Sequence, residues 1–102
     1  MLELRPTCEQ CNVALPPDSL DARICSFECT FCATCVGTIL GNVCPNCGGG
    51  FVPRPIRPMQ NWKDGNFLGV YPASSKMKHK LIDPKAHAQF TAEIKAIPPE
   101  KR

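Results

Sequence analysis

Apolar residues along this chain come in short bursts, and few stretches carry the period of a regular element. "ARICSF", residues 22–27, reads as a short strand leading into a dense run of thiols. In "ATCVGTIL", Val36, Ile39 and Leu40 share one helical face, and Gly41-Asn42 supplies a left-handed stop. That helix spans only about two turns, so contacts with the rest of the fold must hold it. The clearest periodic segment is "DPKAHAQFTAEIKAIPP". Asp83 is suited to cap a helix, Pro84 to open it and Pro98-Pro99 to stop it, which predicts a helix over 83–97. Ala86, Phe90, Ile94 and Ile97 fall on one stripe. The stripe either docks on its own domain or, through Phe90, Ile94 and Ile97, meets a second copy or a partner groove.

Punctuation divides the rest. Pro16-Pro17-Asp18 marks a loop, and "GGGFVPRPIRPMQ" (residues 48–60) passes from glycines to alternating prolines that forbid a continuous helix. The expected organisation is a module over 1–52, a Pro-rich irregular extension over 53–82, the helix over 83–97 and a tail over 98–102. The module's candidate core is Leu4, Leu15, Leu20, Ile24, Phe27, Phe31, Val36, Ile39, Leu40 and Val43. A segment of roughly 50 residues buries too little apolar surface to fold reliably without disulfides, metal or a partner.

The eight cysteines supply that need. Cys8, Cys11, Cys25, Cys29, Cys32, Cys35, Cys44 and Cys47 all precede residue 48. The start, "MLELRPTCEQ", lacks the basic and apolar regions of a secretory signal, and no run approaches the roughly 20 apolar residues of a membrane span. The expected address is therefore cytoplasmic, with no membrane partner. In a reducing compartment such thiols point to metal rather than disulfides. A bridge across two residues would also close almost no loop.

Cys8/Cys11, Cys32/Cys35 and Cys44/Cys47 are Cys-x-x-Cys pairs, and Cys25/Cys29 is a slightly wider fourth. Two intervening residues let the chain reverse so that both sulfurs face one ion about 2.3 Å away. Four pairs make two four-sulfur shells with no thiol left over. Soft anionic shells without an open position suit two structural Zn²⁺ ions rather than a catalytic metal. Spacing leaves open whether neighbouring or interleaved pairs share an ion. A ferredoxin-like reading of "CTFCATC" leaves Cys44 eight residues away instead of three and the other thiols unexplained. His79 and His87, among lysines and on the helix, are expected to be exposed rather than ligands.

The order of the thiols, closing on "CPNC", resembles a RING finger of the all-cysteine type. That resemblance implies a small zinc-stabilised α+β fold with an interleaved cross-brace. Cys8, Cys11, Cys32 and Cys35 would then form one site, and Cys25, Cys29, Cys44 and Cys47 the other. The stretch from "LELRPTCEQC" to "GGGFVPRPIRP" also resembles a family of short bacterial cysteine-rich proteins, domain of unknown function 1272, which implies no activity.

Charge adds a polarity. Residues 1–53 hold two arginines against five carboxylates, a formal −3, while residues 54–102 hold ten Lys or Arg against four carboxylates, a formal +6. Eight thiolates with two Zn²⁺ would bring the first half near −7, suited to a basic protein surface. The resulting expectation is a non-catalytic interaction scaffold, with Val13, Leu15, Pro45 and Phe51 as surface candidates, although burial of Val13 and Leu15 is the plainer outcome.

Other functions fit less well. Ubiquitin-ligase-like recruitment meets Gln10 where RING ligases usually carry an aliphatic residue, no tryptophan in "VGTILGNV", and Gly48 where a basic residue often follows the last cysteine. Nucleic-acid binding would use Lys76, Lys78, Lys80 and Lys85 with Trp62, Phe67 and Tyr71, but Glu9, Asp18, Asp21 and Glu28 stand among the thiols. A thiol redox switch would have to take sulfurs from the metal. No catalytic residues are discernible, and Gly48-Gly49-Gly50 lacks the Lys-Ser/Thr of a phosphate loop.

Overall fold

Strand β1 (Ala22–Ile24) pairs antiparallel with β2 (Thr30–Cys32), placing Ala22 opposite Cys32 and Ile24 opposite Thr30. The computed structural model describes all of residues 1–102. A two-residue strand, β3 (Val52–Pro53), adds antiparallel to the other edge of β1, giving the order β2-β1-β3. The strand expected over 22–27 ends at Ile24 because the chain turns at Cys25. There Glu28 N–H donates to Cys25 O at 3.0 Å, and Glu28 takes a left-handed φ of 65°. The long gap between β2 and β3 holds α1 (Ala33–Cys35), which widens at once into a π-helical turn over Val36–Leu40. This is a small α+β fold.

The π-turn revises the expected helix. Gly41 N–H donates to Val36 O, an i→i+5 bond, with Gly41 and Asn42 both left-handed at φ 61° and 57°. The anticipated stop is therefore where the sequence puts it. The wider turn rotates Ile39 outward, to 44% exposure, while Leu40 is buried. Leu20 and Phe27, two more expected core residues, are exposed. Phe27 lies in the Cys25–Cys29 turn, where its N–H donates to the inward Cys25 Sγ at 3.4 Å and its ring projects outward. The remaining core is Leu4, Leu15, Ile24, Phe31, Leu40 and Val43 with Ala22 and Thr30; Val36 packs half-buried against it, and Phe31 meets Phe51 edge-to-face at 5.3 Å. Six of the ten residues in the central cluster are cysteines. Cysteines thus hold most of the central positions that a larger domain would fill with aliphatic side chains.

Helix α2 spans Pro84–Ile94, three residues short of the expected end, because Ile97 N–H closes a tighter turn onto Ile94 O. Asp83 Oδ1 caps it by accepting from the Lys85 N–H at 3.0 Å. The face it buries is not the expected apolar stripe. His87 and Thr91 turn inward, while Ala86, Phe90 and Ile97 remain exposed and Ile94 is half-buried. A hydrogen bond accompanies this inversion. His87 Nε2 donates to Leu40 O at 3.0 Å, the second lone pair of a carbonyl that also accepts from the Val43 N–H at 3.2 Å. His87 is therefore buried, against the expectation of exposure. His79 is exposed, and its Nε2 reaches Gln10 O at 3.1 Å. Replacing Asp83 by Ala should cost about 1 kcal/mol by loss of the cap. Chemical denaturation will show it, with His87 and Thr91 amides losing hydrogen-exchange protection first.

The basic half folds back onto the cysteine-rich half. Ser74 N–H donates to Leu4 O, Lys80 N–H to Glu9 O, and the Arg102 guanidinium to Asn42 O and Gly48 O. Arginines in the proline run act as braces. Arg57 reaches Leu2 O and Tyr71 O, both at 2.7 Å, and Arg54 is buried among three carbonyls. Proline removes backbone donors there, and the guanidinium forks supply donors from side chains instead.

Candidate metal centre

Two turns in the chain have the same hydrogen-bond plan. In the first, Cys8 N–H donates to Val13 O, Asn12 N–H returns to Cys8 O, and Cys11 N–H points at Cys8 Sγ at 3.5 Å. In the second, Cys44 N–H donates to Gly49 O, Gly48 N–H returns to Cys44 O, and Asn46 N–H points at Cys44 Sγ at 3.4 Å. The residue after each second cysteine is left-handed, Asn12 at φ 61° and Gly48 at φ 80°. Asparagine tolerates that conformation and glycine adopts it freely. Such a turn directs two sulfurs to one side and aims backbone N–H groups at them, which favours the thiolate. Cys32 sits at the β2–α1 junction and accepts the Cys35 N–H at 3.4 Å, so it caps the helix with its sulfur.

The turns bring distant thiols together. Cys8, Cys11, Cys32 and Cys35 place their four Sγ atoms within 4.8 Å of one another. A tetrahedron with 2.3 Å arms has edges of about 3.8 Å. The Cys11–Cys32 separation is 3.8 Å, so the donor set matches a closed tetrathiolate shell in chemistry and in size. Cys25, Cys44 and Cys47 form a second group within the same limit. Cys29 does not join that group; its Sγ accepts from Asn46 Nδ2 at 3.4 Å. In each group one sulfur-bearing residue faces solvent, Cys11 in the first and Cys47 in the second, while the others are buried.

Electrostatics in the first group argue for a cation. Burial opposes ionisation of Cys8, but the amides of Cys11, Cys32 and Gln10 outweigh it and hold that thiol below its ordinary value. Burial, together with the neighbouring sulfurs, pushes Cys35 well above the ordinary range and raises Cys32. Burial likewise raises Cys44, with Cys29 and Cys25 adding repulsion. Four sulfurs in so small a volume cannot all carry charge unless a cation sits among them. Metal binding would release their protons, so loading should weaken as pH falls. Titration against a colorimetric chelator from pH 8 to pH 5 measures the trend.

Two residues that the cysteine pattern did not mark complete the surroundings. Asn46 Nδ2 donates to both oxygens of Glu9, at 3.2 and 3.4 Å, and to Cys29 Sγ, tying the Cys44–Cys47 turn to the Cys8–Cys11 turn and to the remaining thiol. Glu9 itself is buried. The signal lay inside the pairs, in the "x" positions of "CEQC" and "CPNC". Gln10 is buried as well, with its Oε1 accepting from the Ile82 N–H at 3.0 Å.

Fold and site define a small cysteine-rich α+β protein with two thiol clusters able to hold metal ions. The chain belongs to the family described as "Protein of unknown function (DUF1272)", which matches residues 1–57. It is 59% identical over 75 residues to an uncharacterized protein of Rhizobium meliloti (strain 1021), covering 74% of this chain and 82% of that one. No solved structure matches it. No helix is long and apolar enough to cross a membrane.

Proposed function

We propose that this protein is a RING-like, zinc-structured module that acts as a non-catalytic protein interaction scaffold. Cys8, Cys11, Cys32 and Cys35 would hold one Zn²⁺, and Cys25, Cys29, Cys44 and Cys47 the second. The observation that carries the reading is the tetrathiolate shell with its 3.8 Å edge. Four sulfurs leave no coordination position for substrate or water, so such an ion organises the chain rather than activating a ligand. Closing the second shell would require Cys29 Sγ to leave Asn46 Nδ2 and join Cys25, Cys44 and Cys47. The compact domain would extend over residues 1–52, with 53–82 as a strap, 83–97 as a clasp and 98–102 as a short tail.

Gln10 speaks against conjugating-enzyme recruitment. The position where RING ligases offer an aliphatic contact holds a buried amide engaged by Ile82 of the same chain. A second reading, nucleic-acid binding, draws on the exposed Lys76, Lys78, Lys80 and Lys85 and on Trp62, which is 77% exposed. The scaffold reading expects two equivalents of zinc per chain by elemental analysis of anaerobically purified protein, and no absorption near 400 nm. It also expects no autoubiquitination with a panel of conjugating enzymes and no salt-dependent retention of random RNA or DNA. Iron with visible absorption would replace the metal assignment, ubiquitin transfer would replace the non-catalytic one, and salt-sensitive RNA or DNA binding would favour the second reading.

A further inference from the structure

We infer that the hollow between the Pro45–Asn46 turn and helix α2 is an anchor pocket for an arginine side chain presented by a protein partner; this rests on the scaffold reading and specifies its contact. The pocket measures about 270 Å³. Pockets for small molecules and cofactors run from roughly 300 to 1,000 Å³, so this one suits a single side chain better than a metabolite. Pro45, Ile82 and Phe90 supply apolar walls, and Glu9, Asn46 and Asp83 supply polar atoms.

Glu9 decides the chemistry. Its residue exposure is only 4%, yet its carboxylate receives a hydrogen bond from just one neutral amide, Asn46 Nδ2. A buried carboxylate has about four acceptor positions and is costly to leave without a cation. The chain's one ion pair, Arg5–Glu3 at 3.2 Å, lies elsewhere. Arg5 is paired with Glu3 and forms no ion pair with Glu9. Lys80 lines the pocket but makes no ion pair with Glu9. Asn46 is itself held in place by Cys29 Sγ at 3.4 Å, so its amide is fixed beside the carboxylate. His87, also in the lining, is already committed to Leu40 O.

Those surroundings call for a planar cation with an apolar stem. A guanidinium can present two parallel N–H groups to both Glu9 oxygens, while its stem and plane lie against Phe90, which is 43% exposed. Lysine would satisfy the charge but not the fork.

The test uses the full-length zinc-loaded chain, ¹⁵N-labelled, titrated with the capped tripeptide Gly-Arg-Gly and with its neutral citrulline analogue. Saturable shifts at the Asn46 side-chain amide and the Ile82 and Phe90 amides are expected with the arginine peptide. The citrulline peptide should bind roughly tenfold more weakly or worse. Glu9→Gln should erase the preference. Lys80→Met, which keeps the backbone N–H bond to Glu9 O, should tighten arginine binding severalfold. Equal affinity for the two peptides, shifts confined to other surfaces, no saturable change, or no gain in Lys80→Met would each overturn the pocket. The scaffold reading would survive those outcomes if zinc remained at two equivalents; loss of zinc from the wild-type chain would instead overturn that reading and the pocket that its second loop builds.

Discussion

Excess chelator should collapse the dispersed amide spectrum of residues 1–57, and Cys32→Ser should do the same without any chelator. Six of ten central core residues are cysteines, so the metal-free chain has little aliphatic surface with which to offset chain entropy. Structural zinc in small fingers contributes apparent binding free energies of about 10–16 kcal/mol. Whole domains are stable by only about 5–15 kcal/mol. On the two-zinc proposal, loss of either ion would be enough to leave the unfolded state dominant. Cys32 is the informative position because its sulfur has two tasks, capping α1 through the Cys35 N–H and approaching Cys11 at 3.8 Å. Serine remains a good helix cap but a poor soft-metal ligand, so the substitution separates the tasks. An unfolded Cys32→Ser chain with its cap preserved assigns the folding energy to metal. A native-like spectrum after complete zinc removal would instead assign that energy to packing.

The fold was legible in the sequence wherever a local rule acted alone. Asp83 caps α2, Pro84 opens it, and Gly41-Asn42 ends the turn before Val43, each for a reason confined to a few neighbouring residues. Strands β2 and β3 were not legible. Thr30–Cys32 is three residues inside the thiol run, and Val52–Pro53 contains a proline that speaks against a strand until an edge is available to receive it. The inward face of α2 follows no local rule either. Periodicity reports apolar area, whereas His87 turns inward to donate to a distant carbonyl, Leu40 O. The thiols themselves were plain in the sequence, but which pairs meet in space depends on the β1–β2 hairpin carrying Cys32 back toward Cys11. Spacing along the chain holds no record of that return.

Arg54 was the least visible of the important residues, and its removal should have the second-largest effect. It sits in "VPRPIRP", a composition that reads as linker, yet its exposure is 4%. Its Nη1 donates to Arg5 O at 2.9 Å, and its Nη2 donates to Leu15 O and Pro16 O at 3.2 and 2.9 Å. No carboxylate accompanies it, and burial lowers the pKa of the guanidinium. Three carbonyls from two loops therefore share one cation, and β3 anchors the chain beside them through the Arg54 N–H to Ala22 O bond at 2.9 Å. Arg54→Met keeps the stem and most of the volume while withdrawing every side-chain donor, leaving the Arg5 and Leu15 carbonyls without their partner, while Pro16 O keeps the Ser19 N–H. Hydrogen bonds involving a charged group contribute roughly 1.5–3 kcal/mol each, though not additively, so a loss of about 3–5 kcal/mol is expected. Arg54→Lys should lie between, because one ammonium cannot span both loops as the fork does. Guanidinium denaturation of zinc-loaded protein, with Lys63→Met as an exposed control, measures the difference at constant metal content. A loss below about 1 kcal/mol, the range of an ordinary surface change, would mean that the carbonyls find other donors and that the proline run is the passive linker its composition suggests.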